Sequence, residues 1–181
     1  MRLPILIAAL AVTAGLACAQ RPSFTLDAET PEGQALQAAA SEEDETRKLQ
    51  LYENFLNQFP NYEHAWWAWA QAQPLYLKAG HCPKVIQAAE AILAKDPLNS
   101  SVAYNALQAS EKAKDLQGIK DWSARTVEAA RKMLEVKKPE DEDDVEYWER
   151  EIDYARQVIV RCEYSLYAAA ATATEPAAIA D

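Results

Sequence analysis

The residues of this chain that could carry chemistry are few and lie far apart in the sequence. The only histidines are His64 and His81, and His81 is followed directly by Cys82. A metal site needs several histidine, cysteine or carboxylate ligands that converge on one ion, and this pair has no third ligand beside it. The acidic run at residues 140–144 lacks the turn glycine and the ligand spacing of a calcium loop. We therefore expect no metal site, no cofactor and no catalytic residue.

A cluster of tryptophans is the other feature that could recognise a ligand. The stretch HAWWAWAQAQ, residues 64–73, holds Trp66, Trp67 and Trp69. Each residue of a helix advances by about 100°, so these side chains would spread over about 160°. One packing stripe is only about 100° wide. The three tryptophans therefore cannot all pack into the same interface.

The elements that must position these residues are helices. The chain has only 4 glycines, and its apolar residues recur at spacings of three and four rather than two. The clearest case is the last long segment, where one apolar stripe runs along a helix of about thirty residues. The members of that stripe are Val145, Trp148, Ile152, Ala155, Ile159, Cys162, Leu166 and Ala169.

Turn residues divide the chain into separate helices. Phe59-Pro60-Asn61 ends one helix, and Pro83 suits the first turn of the next. Further breaks at residues 96–99, 114–115 and 137–139 indicate antiparallel helices joined by short turns. The expected parts are a leader at residues 20–41 that is disordered apart from a possible short helix, repeats at 42–136, one long helix at 140–172 and a frayed tail at 173–181.

The first 19 residues have the pattern of a secretory signal peptide. Arg2 precedes an apolar run at residues 3–17, and Ala17-Cys18-Ala19 is an A-x-A-type cleavage site. The alternatives are an uncleaved anchor and a lipoprotein acylated at Cys18, although the aliphatic residue of a lipobox is missing. We expect cleavage after Ala19 and a periplasmic or secreted protein, attached to a membrane only if Cys18 is lipidated.

The net charge limits the classes of partner that the chain can bind. The formal net charge is −10, which repels phosphate backbones and anionic membrane surfaces. We therefore expect no nucleic-acid partner.

Cleavage after Ala19 would leave two cysteines, Cys82 and Cys162. An even number of cysteines in an exported chain permits a disulfide without establishing one.

Residues 66–99 resemble one tetratricopeptide repeat, a helix–turn–helix unit of about 34 residues. The family has a bulky aromatic residue, a second aromatic residue, a turn glycine and a closing proline at set intervals. Trp69, Tyr76, Gly80 and Pro97 match all four. Looser matches on either side extend the resemblance over residues 42–136. The resemblance implies an all-α fold in which antiparallel helix pairs stack as a short α-solenoid that ends in one long helix.

The resemblance also implies roles for individual residues. Gln73 and Val85 stand where the family has glycine and alanine, so we expect the two helices of this unit to be spread slightly. Trp69 takes the packing position between them, and Trp66 is expected to meet the preceding helix. Trp67 falls on the groove side, unless the neighbouring unit covers it. The groove residues implied in this way are Trp67, Lys78, Asn105 and Lys112.

The end of the long helix carries a second candidate surface. Tyr164 and Tyr167 lie off the main apolar stripe of that helix. A solenoid normally turns a polar outer face to water at its last helix. We therefore expect Tyr164, Ser165, Tyr167 and Ala168 to form an exposed patch that either a partner or a missing helix would cover.

These features together favour binding over catalysis. Helical repeat proteins hold a peptide or helix of a partner on an extended concave face. We expect a non-enzymatic scaffold that binds a protein or peptide in the periplasm or cell envelope. The alternative is a small-molecule or glycan binder that uses exposed aromatic side chains such as Trp67.

Overall fold

A computed structural model describes residue 22 and residues 24–174 of the chain. The predicted signal peptide with Ala17, Cys18 and Ala19, and the tail from residue 175 onward, lie outside the described residues. The described part contains seven α-helices and no β-strand. The helices are α1 (Pro31–Ser41), α2 (Glu45–Gln58), α3 (Ala65–Ala79), α4 (Cys82–Leu93), α5 (Ser100–Ala113), α6 (Leu116–Leu134) and α7 (Glu142–Thr174).

The helices stack in chain order as an α-solenoid. Each helix packs on the next one, and in addition α3 contacts α5 and α5 contacts α7. Alternate helices from α3 onward therefore form one continuous row. We call it the inner row, because the tetratricopeptide resemblance implies that the first helix of each pair faces the groove. The fold class predicted from the sequence, an all-α solenoid that ends in one long helix, is confirmed.

Local sequence signals set the helix boundaries. The Asp44 carboxylate accepts a 2.8 Å hydrogen bond from the backbone N–H of Arg47 and caps the start of α2. At the end of α3, Gly80 has a φ of 76°, a left-handed conformation that glycine adopts without strain. The cap of α5 is Asn99, whose side chain accepts from the N–H of Val102.

Two apolar clusters fill the interior. One lies between α4, α5, α6 and α7, and the other lies between α1, α2, α3 and α4. Trp69 and Ile86 pack against both clusters, so α3 and α4 join them into one core. Phe24 and Leu26 of the leader also pack against the second cluster. The leader is therefore ordered at these residues, because its two large apolar side chains are partly removed from water.

The four repeat-signature residues lie in α3 and in the turns that follow α3 and α4. Trp69 is half-buried between the two clusters, and its ring lies 6.4 Å from that of Tyr76. Tyr76 is fully buried and donates a 3.1 Å hydrogen bond to the carboxylate of Glu53 in α2. Gly80 ends α3, and Pro97 lies in the turn between α4 and α5. These contacts belong to the α3–α4 pair and its surroundings, and the identity of the repeat stays a prediction.

The side of α3 that carries Trp67 faces α2. Whether Trp66 also meets the preceding helix stays a prediction. The resemblance places Trp67 on the groove side unless a neighbouring unit covers it, and its ring faces α2. Its centroid lies 6.3 Å from Tyr52, edge to face, and 5.1 Å from Phe24. The predicted groove residue is thus half-covered by α2 and the leader, because the α2–α3 packing turns this side of α3 inward.

The buried face of α7 is rotated from the predicted stripe. Val158 is fully buried and Ser165 is 9% exposed, whereas Leu166 is 37% exposed. The reason is that α7 packs against both α5 and α6, which makes its buried face wide and centres it near Cys162. Cys162 is buried there and Cys82 is half-buried at the start of α4, and both are free thiols.

Candidate functional site

An open cleft of about 460 Å³ lies between the inner-row helices α5 and α7. We refer to it as the α5–α7 cleft. Its lining residues are Tyr104, Glu111, Val160, Arg161, Tyr164 and Ser165. Tyr104 and Glu111 are seven positions apart, two helical turns, and so lie on the same face of α5. The cleft thus presents two phenols and two opposite charges on neighbouring helices.

The packing of α7 turns its side of the cleft toward solvent. Cys162 and Ser165 point into the core, so Arg161 and Tyr164, about 100° and 200° from Cys162 around the helix, point outward. Tyr164 is 72% exposed. The side chains on the α7 wall are therefore available for contact with another molecule.

The guanidinium group of Arg161 lies among tyrosine side chains. Its central carbon is 5.9 Å from the centroid of the Tyr104 ring, within the range of a cation–π contact. The nearby Tyr154 has its pKa raised to about 12, chiefly by burial, with a further increase from Tyr104 and an opposing effect of Arg161. Tyr154 therefore stays a neutral phenol at physiological pH.

The groove residues implied by the sequence do not line this cleft. Lys78 pairs with Glu45 of α2. Asn105 donates a 3.0 Å hydrogen bond to Gln73, and Lys112 donates a 2.9 Å hydrogen bond to the carbonyl oxygen of Leu77. These residues and Trp67 all connect α3 to neighbouring helices, so whether they also contact a partner stays a prediction.

The two exposed tyrosines near the end of α7 lie in different surroundings. Tyr164 lines the α5–α7 cleft, while Tyr167 is 75% exposed and is not among its lining residues. Ser165 and Ala168 were expected in the same exposed patch, but Ser165 is buried and Ala168 is half-buried. That part of the expectation is wrong, because both side chains point toward the core side of α7.

A second open groove, of about 540 Å³, follows the α6–α7 contact on the other side of α7. Val127 and Leu166 provide apolar surface there, and Glu128, Arg131 and Lys132 lie along the rim. Lys132 and Glu128 form an ion pair at 2.7 Å. Because Glu128 and Lys132 pair with each other and no tyrosine among the described residues lines this groove, it offers less distinctive recognition than the α5–α7 cleft, which has two tyrosines.

The sequence did not predict that Tyr104, Glu111 and Arg161 would line a common cleft. Tyr104 and Glu111 carry the signal, since their seven-residue spacing marks one face of a helix, but nothing local pairs that face with α7. Arg161 directly precedes the buried Cys162 and has no motif of its own.

Within the described residues, no group of three or more histidine, cysteine or carboxylate side chains could hold a metal ion. Among the helices described, none combines the length and the apolar character required to cross a membrane.

No family model matches this chain. No curated protein and no solved structure matches it significantly either. The tetratricopeptide resemblance therefore rests on the chain's own residues, namely the spacing of Trp69, Tyr76, Gly80 and Pro97 and the helix pair that they organise.

Proposed function

We propose that the protein is an exported, non-enzymatic scaffold of tetratricopeptide-like type that binds a peptide segment of a protein partner in the periplasm or cell envelope. The observation that carries the proposal is the α5–α7 cleft, with its two tyrosines, Arg161 and Glu111. It lies on the inner row of the solenoid, the side on which helical repeat proteins hold peptides.

The side chains of the cleft suit a mixed peptide surface. The rings of Tyr104 and Tyr164 offer large apolar area at low conformational cost, and their hydroxyl groups can form hydrogen bonds. Arg161 can bind a carboxylate of the ligand and Glu111 can bind a basic group. We therefore expect a peptide that carries an apolar side chain between charged groups.

The shape of the cleft supports a peptide over a small molecule. Sites for small molecules usually enclose most of the ligand surface, whereas this cleft is open along α5 and α7. The alternative, a small-molecule or glycan binder, is favoured by the two tyrosines that line one cleft, since carbohydrate rings can stack on such side chains.

The proposed location rests on the sequence of residues 1–19, in particular the apolar run and the Ala17-Cys18-Ala19 site. An envelope location would bring the cleft into contact with other exported proteins.

A displayed peptide library tests the proposal directly, with the purified exported protein as bait. We expect enriched peptides to bind the wild-type protein and to lose about tenfold or more in affinity with Arg161→Glu or Tyr104→Ala. Arg47→Glu is the matched control, because Arg47 is an exposed arginine on α2, far from the cleft in the stack. Equal binding by all variants would refute a site in the cleft, and binding to a carbohydrate panel alone would favour the alternative.

A further inference from the structure

The outward face of α7 carries an apolar stripe, formed by Val160, Tyr164 and Tyr167 and called the outer stripe below. These side chains are 64%, 72% and 75% exposed. They are the three most exposed large hydrophobic side chains within the described residues, and their spacing of four and three places them on one line along the helix. Exposed apolar side chains that are contiguous rather than scattered mark an interaction surface.

The position of α7 in the stack explains why this face is uncovered. Within the described residues, α7 packs on α6 and α5, both on the side of its buried face. The helices from α2 to α6 each have a neighbour before and after them in the stack. The outer stripe is therefore the side of α7 on which a further helix could pack.

Along the same face of α7, the residues before Val160 are charged, whereas the residues after it are aromatic. Arg156 and Asp153 precede Val160 by four and seven residues, whereas Tyr164 and Tyr167 follow it by four and seven. The side chains of Asp153 and Arg156 are each 67% exposed and form a 3.1 Å ion pair. One half of this line is therefore charged and the other half is aromatic, with Val160 at the centre.

When two copies of this face are placed antiparallel, the charged half of each copy lies opposite the aromatic half of the other. In an antiparallel pair of α7 helices with Val160 on the two-fold axis, Tyr164 lies opposite Arg156 of the partner subunit. Tyr167 then lies opposite Asp153 of the partner subunit. A guanidinium over a phenol ring and a phenol hydroxyl that donates to a carboxylate are both favourable contacts, and the two-fold axis forms each of them twice.

We propose that the outer stripe is the interface of a homodimer, in which the α7 helices of two copies pack antiparallel about Val160. The partner is a second copy rather than an unrelated helix because both halves of the complementary pattern stand on the same face of this chain. The interface is narrow compared with standard interfaces of about 1,200–2,000 Å². We therefore expect a dimer that dissociates on dilution.

The dimer and the proposed peptide binding can be tested separately, although Val160 and Tyr164 of the outer stripe also line one wall of the α5–α7 cleft. Tyr167, Arg156 and Asp153 are not among the cleft residues, so substitutions there test the dimer alone. Conversely, Arg161→Glu and Tyr104→Ala are expected to weaken peptide binding without changing the oligomeric state. Failure of one proposal can thus be told from failure of the other.

Sedimentation equilibrium of the exported protein over a wide concentration range is the first test. We expect a monomer–dimer equilibrium that Tyr167→Glu weakens at least tenfold, because it places a carboxylate opposite Asp153 of the partner subunit. Leu116→Glu is the matched control, since Leu116 is a 44% exposed apolar residue on α6 and should leave the equilibrium unchanged. A wild-type protein that is monomeric at every concentration would overturn the proposal.

Cross-linking then tests the antiparallel geometry, in a Cys82→Ser background that removes the half-buried thiol. With a short bis-maleimide, Val160→Cys should link to itself, and a mixture of Arg156→Cys and Tyr164→Cys should give the mixed product. Self-linking of Tyr164→Cys without the mixed product would indicate a parallel pair and would refute this interface. Circular dichroism of each variant verifies that the helices are retained.

Discussion

Asn105 donates a 3.0 Å hydrogen bond from its side-chain amide to Oε1 of Gln73 and joins α5 to α3 inside the protein. Gln73 in turn donates through Nε2 to the carbonyl oxygens of Val85 and Val102, at 3.3 and 3.1 Å. One buried amide therefore connects α3, α4 and α5. Gln73 stands where the tetratricopeptide motif that residues 66–99 resemble has a glycine.

We predict that Gln73→Leu destabilises the protein by about 1–3 kcal/mol, because it removes the acceptor of Asn105 in a site where Gln73 is only 1% exposed. Gln71→Leu is the matched control, since Gln71 lies on the same helix and is exposed. It should change stability by less than about 0.5 kcal/mol. Urea unfolding of the two variants measures this difference, and equal midpoints would contradict the role of the buried amide.

The leader should contribute to stability through Phe24. The rings of Phe24 and Trp67 lie 5.1 Å apart, and such aromatic pairs contribute about 0.5–1.5 kcal/mol beyond the area that they bury. We predict that Phe24→Ala and Trp67→Ala each destabilise the protein, and that the double variant loses less than the sum. Strict additivity in this double-mutant cycle would show that the leader does not pack on α3 in solution.

Alkaline pH should destabilise the protein partly through Cys162. Burial raises the pKa of the Cys162 thiol from 9.0 to about 11, so the folded state holds its proton where the unfolded state has lost it. The contribution of the Cys162 thiol to the free energy of unfolding is therefore fully present below pH 9, and it is lost as the pH rises from 9 through 11. We expect a loss of about 1–3 kcal/mol over this window, at about 1.4 kcal/mol per pKa unit.

The Cys162→Ala variant isolates this effect from other titrations. Tyr154 and Tyr76 also have pKa values raised by burial, but both remain in the variant and act in the two proteins alike. The difference in unfolding free energy between wild type and variant at pH 7 should therefore shrink by pH 11. A difference that stays constant with pH would contradict the raised pKa.

Processing at the amino terminus provides a test of the proposed export. The A-x-A-type site at Ala17-Cys18-Ala19 predicts cleavage after Ala19. Mass spectrometry of the exported protein should then give a chain that begins at Gln20. A diacylglyceryl adduct on Cys18 would instead place the protein on a membrane surface, and an intact Met1 would contradict processing.

Much of the architecture followed from the sequence because it depends on local patterns. Apolar spacings of three and four predicted the helices, and Gly80 and the turn at residues 96–99 predicted where two of them end. The intervals from Trp69 to Pro97 predicted the α3–α4 pair, and the long apolar stripe predicted α7. Each of these signals acts within one helix or one turn, so none needs information about distant residues.

The rotation of the helices was decided only by the tertiary structure. The ring of Trp67 faces α2, and Val158 and Ser165 are buried while Leu166 is 37% exposed. The 100° step between helical residues makes neighbouring faces similar in sequence, and packing against two helices at once selects between them. The α5–α7 cleft depends on the same choice, because Tyr104 and Arg161 become neighbours only when α7 packs across α5 with Cys162 turned inward.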